Sequence, residues 1–221
     1  MVPHAITINA TGDKNEFDSE KWASLAASND LPKRHPSTGI DVLIVGAGMG
    51  GLTSALECWR KGHNVVGILE RNDGPVYSGD IIVMMPSAVL VWRHWPAMQR
   101  DMDNEQVDAT VSYETHSGKH IYGPTVPSYN EPKYRAAREG KGHRSYVAPA
   151  QIRSKFYRML LRQVARLGLT VEYGKPVQSY FEDESAGKGG VVLQDGQYVI
   201  PGASCVVIFK TTLPLANLTT G

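Results

Sequence analysis

Between an apolar run, Val42-Leu43-Ile44-Val45, and a helix-forming stretch opening at Met49, the chain reads Gly46-Ala47-Gly48-Met49-Gly50-Gly51. Gly46, Gly48 and Gly51 match the spacing G-x-G-x-x-G, directly after a strand and at the start of a helix. Each glycine answers a separate geometric need. Gly46 permits a tight turn, Gly48 lets backbone approach a ligand with no Cβ in the way, and Gly51 lets the helix pack close to the strand. Leu52, Ala55, Leu56 and Trp59 repeat at helical spacing, Gly62 follows as a stop, and Asn64 to Leu69 is a second buried strand. Strand, helix and strand in so few residues force a right-handed crossover and a parallel pair, which puts the turn at Gly46 on the ligand edge of an α/β sheet.

Glu70 closes the second strand at roughly the 20-residue spacing from which an acidic side chain reaches the ribose hydroxyls of a dinucleotide. A carboxylate there also disfavours a 2′-phosphate. The free N–H groups at the start of the helix face an anion, so Ile40 to Glu70 reads as a Rossmann-like βαβ unit for a dinucleotide.

Composition narrows the partners. Lys and Arg total 23 against 22 Asp and Glu in 221 residues, too even a balance to hold a nucleic acid by many phosphate contacts. Nucleic acid is not an expected partner. The longest apolar stretch, Ile81 to Trp92, is broken by Pro86 and Ser87 and falls short of the roughly 20 residues that span a bilayer. No membrane span is expected, and Met1 to Ala10 lacks the pattern of a secretory signal. Cys58 and Cys205 sit among apolar residues, which suits reduced thiols and a cytoplasmic setting.

Residues 1–38 are polar, carry Pro32 and Pro36, and read as an N-terminal extension in the form of a flexible tail. Residues 39–221 read as the dinucleotide-binding domain. Within it, Ala109 to Tyr122 is a hairpin around Ser117-Gly118, Pro124 to Gly142 a charged loop, and Ala150 to Leu167 a helix with an apolar stripe. A strand over Leu169 to Tyr173, short antiparallel strands around Asp195-Gly196 and a strand over Ser204 to Phe209 complete the expected order.

Other constellations carry less. His116 and His120 have the spacing of two helical zinc ligands, but Gly118 intervenes and no glutamate completes a metalloprotease pattern, so no metal is expected. His143, Ser145 and Tyr146 include no nucleophile elbow. Trp92, His94 and Trp95 read as a helix face packed on a sheet, and the Lys133, Arg135, Arg138, Lys141 and Arg144 cluster as a solvated loop. No catalytic base is identified.

The run Val42 to Leu52, closing on Leu69-Glu70-Arg71, resembles the N-terminus of the FAD-dependent monooxygenases that include salicylate and para-hydroxybenzoate hydroxylases and many fungal secondary-metabolite hydroxylases. Gly79 to Ala88 resembles that family's next segment, with Ile81 in place of a second glycine and Ser87 in place of asparagine. The resemblance implies FAD as cofactor, NAD(P)H as co-substrate and a small aromatic or polyketide-type substrate hydroxylated with O2. It implies that backbone at Val83 lies beside the flavin, and that Arg153, at the start of a long helix, approaches the cofactor. It also implies a FAD/NAD(P)-binding domain with antiparallel additions and an incomplete substrate domain. After Cys205-Val206-Val207-Ile208 the family's Gly-Ala-Asp-Gly does not follow, so the chain reads as a truncated form. The resemblance therefore assigns activity to the family rather than to this chain alone. Two alternatives stand beside it, an NAD-dependent oxidoreductase and a non-catalytic nucleotide-binding remnant.

Overall fold

A computed structural model describes residues 11–25, 31–79, 81–84, 86–105, 110–126, 131–140, 150–185, 187–199 and 205–208. A short helix α1 (Ser19–Leu25) precedes the expected unit of β1 (Asp41–Val45), α2 (Met49–Arg60) and β2 (Asn64–Leu69). Then come β3 (Ile81–Val83), α3 (Pro86–Val89), a 3-10 turn at Leu90–His94, α4 (Pro96–Glu105), β4 (Val111–Glu114), β5 (His120–Thr125) and α5 (Pro132–Glu139). The order closes with β6 (Ala150–Ile152), α6 (Arg153–Arg166), β7 (Val171–Glu172), β8 (Val177–Asp183), β9 (Lys188–Leu193), β10 (Tyr198–Val199) and β11 (Cys205–Ile208). Two compact units result, Met1–Ser78 with Tyr157–Gly221, and Gly79–Phe156.

In the first unit a parallel sheet runs in the order β11-β1-β2-β7, with β1 paired on both sides. Val42 to Val45 of β1 are apolar and buried because both faces are covered there, and Leu43 and Ile44 are fully buried. Side chains alternate across the sheet. Leu43 and Val45 join Leu69, Val191 and Leu193 in one cluster, so the antiparallel β8-β9-β10 meander covers that face. Gly51 of α2 lies against Ile44 on the other. Gly67 gives Leu43 its place, since a Cβ there would come within 3.1 Å of the leucine Cδ1.

Parts of the segment expected to be a tail contact this unit. Thr11 bridges Val76, and the Gly12 N–H donates to the Pro75 carbonyl at 2.7 Å. At the C-terminal end of α2, Arg34 donates to the carbonyls of Trp59 and His63, and the His35 N–H donates to that of Arg60. The reason is local. A helix end leaves carbonyls without intrahelical partners, and a polar segment with an arginine supplies the donors.

In the second unit β3 and β6 pair antiparallel, Ile81 opposite Ile152 and Val83 opposite Ala150. That pairing corrects the expected helix over Ala150 to Leu167, whose first three residues are a strand and whose helix begins at Arg153. Gln151, buried on β6, donates through Nε2 to the Met102 carbonyl in the last turn of α4. Trp95, Met98 and Met102 are buried, and Trp92 meets Phe156 edge-on at 5.8 Å. The two tryptophans of the aromatic patch are therefore core, Trp92 on the 3-10 turn and Trp95 just after it, while His94 is half-buried.

The β4 and β5 hairpin is as expected, although β5 continues to Thr125. The charged loop after it contains α5, a correction that brings Lys133 and Arg135 into a helix. Lys141 and the loop histidine His143 with Arg144 lie outside the described residues. The strand expected over Leu169 to Tyr173 shrinks to Val171–Glu172. Among the described residues no helix is long and apolar enough to cross a membrane.

Candidate cofactor-binding site

The turn after β1 is built as its glycines require. Gly46 has φ +99°, a left-handed conformation that side chains disfavour, and its N–H donates to the Leu69 carbonyl at 2.7 Å. That bond ties the turn to the end of β2, where Glu70 follows. Gly48 is the N-cap of α2 in extended conformation, and no side chain caps the helix. The first intrahelical bond runs from Leu52 N–H to the Gly48 carbonyl at 2.9 Å. The N–H groups of the opening turn carry the positive end of the helix dipole, and no acidic residue occupies that turn.

A Cβ on Gly48 would meet nothing within 4 Å, so the position faces open space. Gly51 is the opposite case. A Cβ there would overlap the carbonyl oxygen of Gly46 and lie 3.0 Å from its carbon. One glycine faces open space and the other lets helix and turn close on each other.

Glu70 is 9% exposed, and each carboxylate oxygen is engaged. Oε2 accepts from the Ala47 N–H at 2.9 Å, while Oε1 accepts from the Asn72 N–H at 3.0 Å and from Asn72 Nδ2 at 2.6 Å. The carboxylate thus holds the glycine turn from inside, a role that spacing alone does not disclose. Its backbone is fixed too, with its N–H on the Glu172 carbonyl and its carbonyl receiving the Lys175 N–H, both at 2.8 Å.

Three tyrosines of the same unit belong to no motif that the sequence displays. The Tyr157 hydroxyl donates to the Ala47 carbonyl at 2.8 Å. Tyr77 meets the Tyr157 ring edge-on at 5.9 Å, and Tyr173 lies within electrostatic reach of both. Burial pushes all three hydroxyls well above the ordinary tyrosine value. Nearby charge reinforces the shift, that of Glu70 at Tyr157 and Tyr173 and that of Glu16 at Tyr77 and Tyr173. They are neutral donors at physiological pH. The only available signal was that Tyr157 neighbours the apolar stripe of its helix.

Val83 and Arg153 belong to the second unit. Val83 is 49% exposed on β3, and Arg153 opens α6 with its side chain over Gly79, where a Cβ would lie 2.9 Å from Nη1. Gly79 has φ +97°, so the turn that carries it leaves room for the guanidinium. His116 and His120 are exposed on the hairpin, and among the described residues no group of three or more His, Cys, Asp or Glu could hold a metal ion.

Comparison with known proteins agrees with this geometry. A family model described as an FAD binding domain matches residues 41–76, the span of β1, α2, β2 and the turn after Glu70. Over 210 residues the chain is 63% identical to the FAD-dependent monooxygenase dmxR9 of Cryptosporiopsis sp., covering 89% of this chain and 40% of that protein. It is 55% identical over 247 residues to the FAD-dependent monooxygenase mdpD of Emericella nidulans, covering 94% of this chain and 47% of that one.

The chain belongs to the FAD-dependent monooxygenase family. It spans less than half the length of either of these two relatives. Among solved members of the fold, CtdE in complex with FAD and a substrate superposes with a TM-score of 0.59 at 26% identity, over 76% of this chain and 37% of that one. FqzB superposes at 0.58 with 25% identity, over 81% and 37%.

Proposed function

We propose that this chain carries the FAD-holding part of a monooxygenase that hydroxylates a small aromatic or polyketide-type molecule in secondary metabolism, with NAD(P)H as reductant. The observation that carries the reading is the uncapped glycine turn, open at Gly48 and closed from behind by Gly51 and Glu70. These residues fit a dinucleotide. Backbone N–H groups at the start of α2 receive the pyrophosphate, no carboxylate in that turn opposes it, and Glu70 offers its remaining lone pairs to ribose hydroxyls. Val83 and Arg153 serve the flavin end of the cofactor by family analogy.

Bound FAD, reduced by NAD(P)H, supplies the activation of O2 and its transfer to an electron-rich ring. The chain's part is to bind, orient and exclude water. The names of the relatives and the FAD-bound CtdE support FAD over a nicotinamide bound in the same turn. A remnant that only binds nucleotide has less support than a monooxygenase, the name both relatives carry. The apolar neighbours of Cys58 and Cys205 in the sequence suit reduced thiols and a cytosolic setting.

The test is to add FAD, NADPH or NADH, and a panel of phenolic and polyketide substrates to the purified chain. Hydroxylated product is then measured against NAD(P)H consumed. Product coupled to nucleotide supports the activity in this chain; nucleotide oxidation without FAD refutes the flavin reading.

A further inference from the structure

Ala47 is fully buried in the middle of the phosphate turn, and it is held on both sides. Its N–H donates to Glu70 Oε2 at 2.9 Å, and its carbonyl accepts from the Tyr157 hydroxyl at 2.8 Å. The glutamate contact lies within the βαβ unit. The tyrosine contact crosses 110 residues and comes from α6.

A trans peptide is planar, with C=O and N–H on opposite sides. Fixing the Ala47 carbonyl toward Tyr157 therefore fixes the Gly48 N–H in the opposite direction. Gly48 is the residue whose missing side chain leaves open space. The tyrosine is itself braced. Its ring meets Tyr77 edge-on at 5.9 Å, the Arg158 guanidinium covers the Tyr77 ring at 4.1 Å, and Glu16 accepts from the Tyr77 hydroxyl at 2.6 Å. Glu16 also pairs with Arg158 at 3.4 Å. Burial first, then the charge of Glu70, keeps the Tyr157 hydroxyl protonated and so a donor.

We infer that Tyr157 is a positioning residue for the cofactor: through the Ala47 carbonyl it presets the Gly48 peptide for an anionic diphosphate, and the segment before β1 braces it through Glu16 and Tyr77. This rests on the FAD reading above.

The test uses the chain with Tyr157→Phe, which removes one oxygen and keeps the ring, and Tyr113→Phe on the exposed hairpin as control. FAD affinity is read by flavin fluorescence, and amide exchange is followed in the cofactor-free proteins. A hydrogen bond of this kind corresponds to about a three- to tenfold change in binding. Tyr157→Phe should raise the FAD Kd by that factor and speed exchange in the peptide over residues 45–52. Exchange over residues 177–193 should stay as in the unsubstituted chain, and the control should change neither. Unchanged Kd in a chain that binds FAD overturns the inference and leaves the FAD reading standing. Exchange accelerated equally in both peptides also overturns it, since that is loss of general stability. Failure of the unsubstituted chain to bind FAD removes both readings together.

Discussion

Replacing Gly51 by alanine adds one methyl group at the point where α2 leaves the turn. In an ordinary helix that change stabilises by about 1 kcal/mol, because alanine restricts the unfolded chain and favours the helix. Here the new Cβ would overlap the Gly46 carbonyl oxygen, lie 3.0 Å from the Gly46 carbon and 3.5 Å from Ile44 Cγ2. The obstacle is backbone, which has no rotamer to yield. Carbon prefers neighbours at about 3.5 to 4.0 Å, so turn and helix must separate by on the order of 1 Å. That shift loosens the Gly46 N–H bond to Leu69 and the packing of Leu52 and Leu56, both fully buried. Overpacking of this kind costs roughly 1 to 3 kcal/mol and a weakened buried hydrogen bond about 1 more, which outweighs the helix gain. We expect a net loss of about 2 kcal/mol in the cofactor-free chain, measured by urea unfolding followed by tryptophan fluorescence. Stability equal to or above that of the unsubstituted chain would refute the packing argument, because the propensity term would then have won.

Gly48→Val should behave in the opposite way, leaving stability within about 1 kcal/mol since the position is extended and unobstructed, while flavin retention on gel filtration is lost. Glu70→Ala leaves the Ala47 and Asn72 N–H groups without their acceptor, so unfolding titrations should show a loss of about 1 to 3 kcal/mol, and FAD titrations a weaker affinity. An unchanged unfolding midpoint would make that carboxylate a bystander. Alkaline pH should destabilise the chain, because Tyr157 and Tyr173 are raised in the folded state. The stabilisation is complete below the unfolded tyrosine value of about pH 10 and is lost as pH rises past it. Tyr173→Phe should flatten that fall; a curve for the unsubstituted chain that stays level to pH 11 would contradict it.

The βαβ unit was legible because its signals are local. A doubly covered strand is apolar throughout, a helix repeats its apolar face, and a turn needing positive φ shows glycine, so the expected bounds of β2, Asn64 to Leu69, match the structure. Segments whose state depends on distant partners were not legible in the same way. Ala150 to Ile152 carries helix-compatible residues and is a strand because it pairs with Ile81 to Val83, about 70 residues earlier. The helix at Pro132 was hidden by its charge, although proline at a first helical position followed by Arg135, Ala136 and Ala137 is a start signal. The same division holds at the site. Gly46, Gly48, Gly51 and Glu70 follow from spacing, whereas the Tyr157 contact with Ala47 depends on how α6 returns to β1, which no local pattern encodes.

On the proposed reading, the turn from Gly46 to Gly51 holds the diphosphate of FAD. This is tested most directly by incubating the chain and its Gly48→Val variant with FAD, removing free ligand by gel filtration, and recording the absorbance spectrum of each protein peak. A flavin spectrum at about one FAD per chain is expected for the unsubstituted protein and none for the variant, with both eluting as folded species. A colourless protein peak that binds NADH through the same turn, or equal flavin in both peaks, would contradict it.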